Sequence, residues 1–214
     1  MKAPSHFLEP LFNDMRQWRQ HLHQHPETAF EEIQTAQFIS DKLKSFGLDV
    51  HQGLGGTGVV ASITAGDSHA TIGLRADMDA LPIQELNSFT YKSVHNGKMH
   101  ACGHDGHSAM LLGAACYLSQ QQNFNGTVRF IFQPAEEGRA GAQRMIEEGL
   151  FKQFPVDSVY GMHNFPDLPE GHFAIKAGAM MASFNCFKIT VAGQATHAAM
   201  PHLGKDPIVA TAHL

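Results

Sequence analysis

The segment MHACGHDGH, residues 99–107, holds the densest set of reactive side chains in the sequence. Cys102 and His104 flank a single glycine just before a stretch that favours a helix, and a helix start lowers the pKa of a nearby thiol. A thiolate and an imidazole are both metal ligands. The alternative is a buried cysteine beside a solvated turn rich in histidine. A redox role is disfavoured because no resolving cysteine is near in sequence.

A pair of glutamates, Glu136 and Glu137, follows the apolar run TVRFIFQ and Pro134. If that run is a buried strand, the pair lies where a sheet presents its active site. One carboxylate could then bind a metal ion while its neighbour acts as general base toward an activated water. The alternative is a solvated pair that opens a helix and is stabilised by the helix dipole.

Further polar groups follow two other apolar runs. His163 comes after SVYGM, and Asp77 and Asp79 come at the end of TIGLR. An aspartate here could orient a metal-ligating histidine or cap a loop, and a lone histidine at a strand end is usually a hydrogen-bonded edge residue. Together, however, cysteine, histidine and glutamate follow successive strands. A mixed set of this kind suits a catalytic metal site better than a structural one.

The composition is that of a globular protein with ample material for a core. The 214 residues are 43% hydrophobic and 16% charged, which suits one large domain or two smaller ones. A net charge of −5 predicts neither a nucleic-acid nor a membrane-surface partner, and no run approaches the roughly 18 apolar residues of a membrane span. Acids and Trp18 interrupt the N-terminal segment where a signal peptide is apolar, so we expect a cytoplasmic protein. Three scattered cysteines exclude a disulfide framework, whereas 15 histidines favour a metal site.

Alternating helix and strand patterns predict the elements that position these residues. The helical patterns cover 4–25, 30–46, 106–121 and 140–148. The strand patterns cover 48–51, 59–64, 71–75, 127–133 and 158–162. Alternation of this kind indicates an α/β fold, a sheet flanked by helices, with its chemistry in the loops beyond the strand ends.

The glycine run from Gly53 to Gly58 matches the pattern G-x-G-x-x-G. A dinucleotide site needs a strand before this pattern and a helix after it. The run VVASIT that follows is β-branched, so we predict a glycine turn into a strand and no nucleotide site.

The sequence pattern changes after Gly178, which predicts a catalytic domain over 1–178 and the beginning of a second domain over 179–214. Residues 183–191 alternate like a half-exposed strand, and Asp206 followed by Pro207 predicts a helix start. Because no C-cap or return strand follows before Leu214, we expect this second domain to be incomplete.

Seven blocks of the sequence resemble the M20 metallopeptidase family. In chain order they are RQHLHQHPETAFEE, GTGVVASI, LRADMDALPI, MHACGHDGHSAMLLGAA, FIFQPAEEG, GMHN and GQATHAAMPHLGKDPI. The nearest resemblance is to its amidohydrolases, which include hippurate hydrolases, N-acyl-amino-acid amidohydrolases and auxin-conjugate hydrolases. It implies a zinc-peptidase-like α/β domain, a smaller α+β lid domain that forms a homodimer, and hydrolysis of N-acyl amino acids as small-molecule substrates.

The resemblance also implies a set of metal ligands. Cys102 would bridge two divalent ions, and His104, Glu137 and His163 would be further ligands. A thiolate favours zinc, while imidazole and carboxylate also accept manganese, cobalt or nickel. Members of the family run to nearly twice this length, so one further histidine ligand is expected outside these residues.

Other roles follow from the same resemblance. Glu136 would be the general base that takes a proton from the attacking water, and Asp79 would orient the site. Asp77 stands where peptidase branches of the family carry a metal-binding histidine. His197 would bind the substrate carboxylate or the developing oxyanion.

Five further histidines of these blocks are expected to be structural or outside the ligand set, namely His21, His23, His25, His100 and His107. Two other functions stay open. One is a dipeptidase or aminopeptidase of the same fold, and the other is a non-catalytic metal-binding or dimerisation module.

Overall fold

The computed structural model describes residues 5–183 and 185–214, with side chains from residue 9 onward. The chain divides into two compact units, Met1–Phe165 and Pro166–Leu214. This division falls earlier in the chain than the predicted boundary after Gly178. The assignment of 1–178 and 179–214 as catalytic and lid domains stays a prediction.

The first unit is built on a five-stranded sheet with the strand order β1-β2-β4-β3-β5. The strands are β1 (Asp49–Leu54), β2 (Gly58–Ala65), β3 (Thr71–Asp77), β4 (Gly126–Gln133) and β5 (Ser158–Gly161). Strands β1, β2 and β4 pair antiparallel, whereas β3 runs parallel to both β4 and β5. The predicted α/β class and all five predicted strands are confirmed.

Helices cover both faces of this sheet. They are α1 (Ser5–Gln24), α2 (Ile33–Ser45), α3 (His104–Gln121), α4 (Gly141–Glu147) and α5 (Leu150–Gln153). The first four confirm the predicted helices, while α5 has four residues and is too short for a periodic signal. No described helix is both long and apolar enough to cross a membrane.

Alternation along β4 divides the core into two clusters. Phe130 and Phe132 are fully buried in the larger cluster, against residues of α2 and α3 such as Leu43 and Leu112. Ile131 faces the opposite side and packs with a smaller cluster around Met145 of α4. The sheet is therefore held from both sides, and the ends of its central strands are fixed in place.

The predicted glycine turn is confirmed by the β1–β2 hairpin. Its strands pair from Asp49 opposite Ser62 to Leu54 opposite Gly58. Gly55 has a φ of +69°, and a Cβ there would lie 2.8 Å from the Met145 side chain. The glycines serve a tight turn against α4, which confirms that this run lacks the following helix of a nucleotide site.

The second unit contains little regular structure in its described residues. A 3₁₀ helix covers Pro201–Leu203, and α6 covers Pro207–Thr211. Asp206 accepts hydrogen bonds from the backbone N–H groups of Ile208 and Val209, which confirms the predicted cap. The predicted strand over 183–191 is wrong for the described residues of that range. A strand needs a neighbour to satisfy its backbone groups, and no described segment pairs with it.

Candidate metal centre

Three parallel strands bring the reactive residues to one edge of the sheet. Asp77 and Gln133 are register partners at the ends of β3 and β4, and β5 ends beside them at Gly161. Because parallel strands end at a common edge, the loops that follow them meet there. The start of α3 lies at the same place and adds its first residue, His104.

His104 is fully buried at the centre of this cluster. Its Nδ1 lies 2.8 Å from the backbone oxygen of Asp79 and 3.2 Å from the Asp79 carboxylate. With the proton at Nδ1 donated to Asp79, the Nε2 lone pair is free, and Nε2 has no hydrogen-bond partner among the described residues. This is the arrangement of a metal-ligating histidine held by an outer carboxylate.

Three carboxylates face that unpartnered nitrogen. His104 Nε2 lies 3.6 Å from Asp77 Oδ2 and 3.9 Å from both Glu136 Oε2 and Glu137 Oε1. Burial alone would lower the pKa of His104, but the hydrogen bond to Asp79 and the charges of Asp77, Asp79 and Glu136 outweigh it and raise the pKa. Surroundings that stabilise a proton at this nitrogen would also stabilise a metal cation.

Cys102 and His163 complete the predicted ligand set from the other side. The Sγ of Cys102 lies 3.4 Å from His163 Nε2, while His163 Nδ1 donates to the backbone oxygen of Asn164. Burial raises the pKa of the Cys102 thiol to about 12, assisted by the charges of Glu137 and Glu136. The expectation that the helix start lowers this pKa is wrong for the metal-free protein. A bound cation would have to displace the thiol proton.

The structure brings all four predicted ligands together with the predicted base. The possible ligand atoms form three groups that share His104, and within each group they lie within 4.8 Å of one another. The groups are Cys102–His104–His163, His104–Glu136–Glu137 and Asp77–His104–His107. Thiol, imidazole and carboxylate donors at one point suit zinc or another divalent transition metal. The roles of the individual residues stay predictions.

Asp79 occupies the position of an orienting carboxylate. It is buried, and its Oδ1 faces His104 while its Oδ2 accepts a hydrogen bond of 2.9 Å from the backbone N–H of Glu137. The Asp79 side chain therefore fixes the positions of two predicted ligands, His104 and Glu137.

His107 lies closer to the site than the sequence indicated. Its Nδ1 is 2.7 Å from Asp77 Oδ1, and its Nε2 lies 2.6 Å from the side-chain oxygen and 3.0 Å from the backbone nitrogen of Asn164. Burial would raise the pKa of Asp77, but the hydrogen bond from His107 and the charge of Arg75 lower it to about 2. The spacing of three residues from His104 places both rings on one face of α3, and this was the available signal.

His197 lies in the second unit and is exposed. Its Nδ1 accepts a hydrogen bond of 3.1 Å from the backbone N–H of Ala199, which fixes the ring within its own loop. Its predicted contact with substrate stays a prediction.

The region that contains this site is similar to known proteins in both sequence and structure. The profile of the peptidase family M20/M25/M40 matches residues 73–213, a range that contains every predicted ligand. The crystal structure of the Bacillus subtilis YXEP protein, described as a dinuclear metal binding peptidase from the M20 family, is similar with a TM-score of 0.75. That match has 41% sequence identity and covers 79% of this chain and 48% of the other.

Two curated relatives are similar over nearly the whole chain. Hippurate hydrolase of Campylobacter jejuni is 48% identical over 204 residues, covering 95% of this chain and 53% of that protein. N-acetyl-L-cysteine deacetylase of Bacillus subtilis is 46% identical over 197 residues, covering 92% of this chain and 47% of that protein. The chain thus spans about half the length of the curated relatives it matches.

Proposed function

Because the chain belongs to the peptidase family M20/M25/M40, we propose that it is part of a metal-dependent amidohydrolase that cleaves N-acyl amino acids. The observation that carries the proposal is the buried Nε2 of His104, which lacks a described partner and faces three carboxylates. A buried acceptor of this kind costs free energy unless a donor or a cation reaches it. The substrate class is supported by two relatives named for hydrolysis of hippurate and deacetylation of N-acetyl-L-cysteine, both N-acyl amino acids.

Four side chains would hold two divalent ions, namely Cys102, His104, Glu137 and His163. When bound, the ions would polarise the amide carbonyl and acidify the attacking water. The donor set favours zinc through the thiolate and also accepts manganese, cobalt or nickel.

Glu136 would act as base and then as acid. Its side chain is 43% exposed, so it can reach both water and substrate, and its Oε2 lies 3.9 Å from His104 Nε2. It would take a proton from the attacking water while the new C–O bond forms, and deliver it to the leaving nitrogen as the amide C–N bond breaks. The products are the free carboxylate and the amino acid. Asp79 would keep the His104 ring in its ligating tautomer throughout.

The remaining proposals concern the second unit and the whole protein. The block GQATHAAMPH supports a role for His197 in binding the substrate carboxylate or stabilising the oxyanion, a task that typically contributes about 3 kcal/mol. The same resemblance supports a homodimer formed through a lid domain. The composition and the net charge of −5 favour a cytoplasmic location, with neither nucleic acid nor membrane as partner.

The test compares N-acetyl amino acids with free dipeptides as substrates for the full-length, metal-loaded protein. Glu136→Gln should keep the metal content and lower turnover of the N-acetyl substrate by about 10²- to 10⁴-fold, the usual contribution of a general base. Glu147→Gln, on the exposed face of α4, is the matched control and should change neither quantity.

Each alternative has its own outcome in this experiment. A preference for free dipeptides would favour a dipeptidase or aminopeptidase. Absence of hydrolysis with metal bound would favour a non-catalytic metal-binding or dimerisation module. Full turnover in the Glu136→Gln variant would refute the role of that residue.

A further inference from the structure

The turn that carries the glutamate pair has an unfavourable backbone conformation. Ala135, directly before the pair, is buried and has a φ of +52°, and Ala140 at the end of the turn has a φ of +55°. A Cβ at Gly141 would lie 1.8 Å from the backbone oxygen of Pro134, so the turn closes tightly on itself. The left-handed conformation is disfavoured for residues with a Cβ, and it persists only where the surroundings enforce it.

Glu32 is the side chain that reaches this turn from outside the site. It is fully buried, and its Oε1 accepts a hydrogen bond of 2.8 Å from the backbone N–H of Ala135, 103 residues away in sequence. Its Oε2 accepts a hydrogen bond of 2.7 Å from the hydroxyl of Thr57. The backbone oxygen of Ala135 accepts in turn from the N–H of Gly141. Both backbone groups of the strained residue are therefore fixed.

Helix capping does not account for this carboxylate. Glu32 directly precedes α2, yet its side chain makes no hydrogen bond that caps the helix. That task falls to Glu27, whose carboxylate accepts from the backbone N–H groups of Gln34 and Thr35. This carboxylate pairs with no cation in the described part of the chain, and its two hydrogen bonds to other segments go to Thr57 in the β1–β2 turn and to Ala135.

We infer that Glu32 is a positioning residue, which holds Ala135 in the left-handed conformation so that Glu136 and Glu137 converge on His104. The inference rests on the function proposed above for those glutamates. Asp79 holds the same turn from the metal side through the N–H of Glu137, and Glu32 holds it from the α2 side. With both clamps the two carboxylates are preorganised before any ligand arrives.

The first measurement is hydrogen exchange in the metal-free full-length protein, followed over residues 133–141. Glu32→Ala should speed exchange in this segment and weaken divalent metal binding, measured by zinc titration, by about 10- to 100-fold, the usual cost of losing an outer partner. Glu32→Gln should restore both, because its amide oxygen can accept from Ala135 while its NH₂ donates to Thr57.

Glu27→Ala is the matched control, since it removes a buried carboxylate that holds the backbone of α2 and leaves the turn untouched. It should lower overall stability without the local change in exchange or the loss of zinc affinity. If it reproduces both effects of Glu32→Ala, or if Glu32→Ala changes neither, the inference is overturned.

A double-mutant cycle tests the strain directly. Ala135→Gly permits the left-handed conformation without cost, so Glu32→Ala should weaken zinc binding less in that background than in the parent. Equal losses in both backgrounds would overturn the role assigned to strain.

Should Glu32→Ala fail to fold, Thr57→Val removes the hydrogen bond from the Thr57 hydroxyl to the same carboxylate. It should give the same pattern at smaller size, and no change there would count against the inference.

Failure of this inference and failure of the proposed function give different results. If Glu136→Gln abolishes turnover while Glu32→Ala leaves exchange and zinc affinity unchanged, only the role of Glu32 is wrong. If the exchange and zinc effects appear but Glu136→Gln retains turnover, Glu32 positions the turn and the proposed function is wrong.

Discussion

Two histidine–carboxylate clusters meet at the start of α3, one closed and one open. In the closed cluster, His23 Nδ1 lies 2.9 Å from Asp105 and its Nε2 lies 3.1 Å from Glu85. Arg19 donates a further hydrogen bond of 3.1 Å to Asp105. In the open cluster, His104 has one ring nitrogen engaged and the other without a described partner.

The difference lies in the balance of charge around each ring. The positive charges of a protonated His23 and of Arg19 balance the negative charges of Asp105 and Glu85, so the closed cluster needs no ligand. The open cluster places Asp77, Glu136 and Glu137 around one nitrogen, and Arg75 pairs with Asp77 at 2.8 Å. A bound cation would balance this excess of negative charge around the buried nitrogen. We therefore propose that two neighbouring residues of one helix differ in role, His104 in metal binding and Asp105 in folding.

The largest expected effect comes from removing the shared group of the open cluster. His104→Gln takes away the imidazole common to all three possible ligand groups, so zinc content after dialysis should fall to background. Elemental analysis of the purified full-length protein measures this. His69→Gln, on an exposed loop, should retain the parent content. Retention of zinc by His104→Gln would mean that the cluster does not hold the metal.

The closed cluster should respond in stability and not in metal binding. His23→Leu removes the imidazole that lies between the buried carboxylates of Asp105 and Glu85, and breaking a buried pair of this kind typically costs about 3–5 kcal/mol of unfolding free energy. Urea unfolding of the metal-free protein measures this loss. Zinc affinity of the folded variant should stay close to that of the parent. A drop in affinity as large as that of His104→Gln would show that the two clusters act as one.

Much of this arrangement could be predicted from the sequence because its signals are local. Apolar runs predict the strands, and reactive residues directly after them are predicted to meet where the strands end. The spacing of Cys102, Gly103 and His104 is likewise visible without a structure. These features need only the periodicity of a strand and the position of its last residue.

Other features have no local signal. The sequence does not reveal the strand order, in which β4 lies between β2 and β3. The hydrogen bond between Glu32 and Ala135 joins residues 103 positions apart, and no sequence pattern predicts that they are neighbours. The thiol of Cys102 has a raised pKa because it is buried beside the carboxylates of Glu137 and Glu136, and burial is a tertiary property. The predicted strand over 183–191 is wrong for the described residues of that range. Alternation indicates which side chains would share a face of a strand, but it does not indicate whether another strand is available to pair with it.

A smaller effect is expected where the two clusters join, at Gly103. This residue has a φ of +91°, and a Cβ there would lie 2.2 Å from the side-chain oxygen of Asn164. Gly103→Ala should therefore cost about 1–2 kcal/mol for the left-handed backbone, and more if Asn164 has to move. Urea unfolding measures the stability and zinc titration the affinity, which should also fall because Cys102 and His104 adjoin the strained residue. Gly97→Ala has a similar φ of +74° but open space around it, so it should cost only the backbone strain. If Gly97→Ala and Gly103→Ala lowered zinc affinity equally, the contact with Asn164 would not account for the loss.

The smallest expected effect is a pH dependence, and it compares two histidines on α1. The pKa of His23 is raised above 6.5 by its hydrogen bond to Asp105, with burial opposing and Glu85 assisting. Its native state therefore holds the proton more tightly, and this stabilisation is complete below pH 6.5 and lost as the pH rises through the raised pKa. The stability difference between the parent and His23→Leu should accordingly shrink from pH 6 to pH 9.

His21, which stacks on Phe38, has its pKa lowered by desolvation and by the charges of His25 and Lys42. Its contribution has the opposite sign, so the difference between the parent and His21→Leu should grow as the pH rises through 6.5. Urea unfolding of the metal-free proteins across this range checks both slopes, and slopes of the same sign would mean that the closed cluster does not hold His23 as a cation.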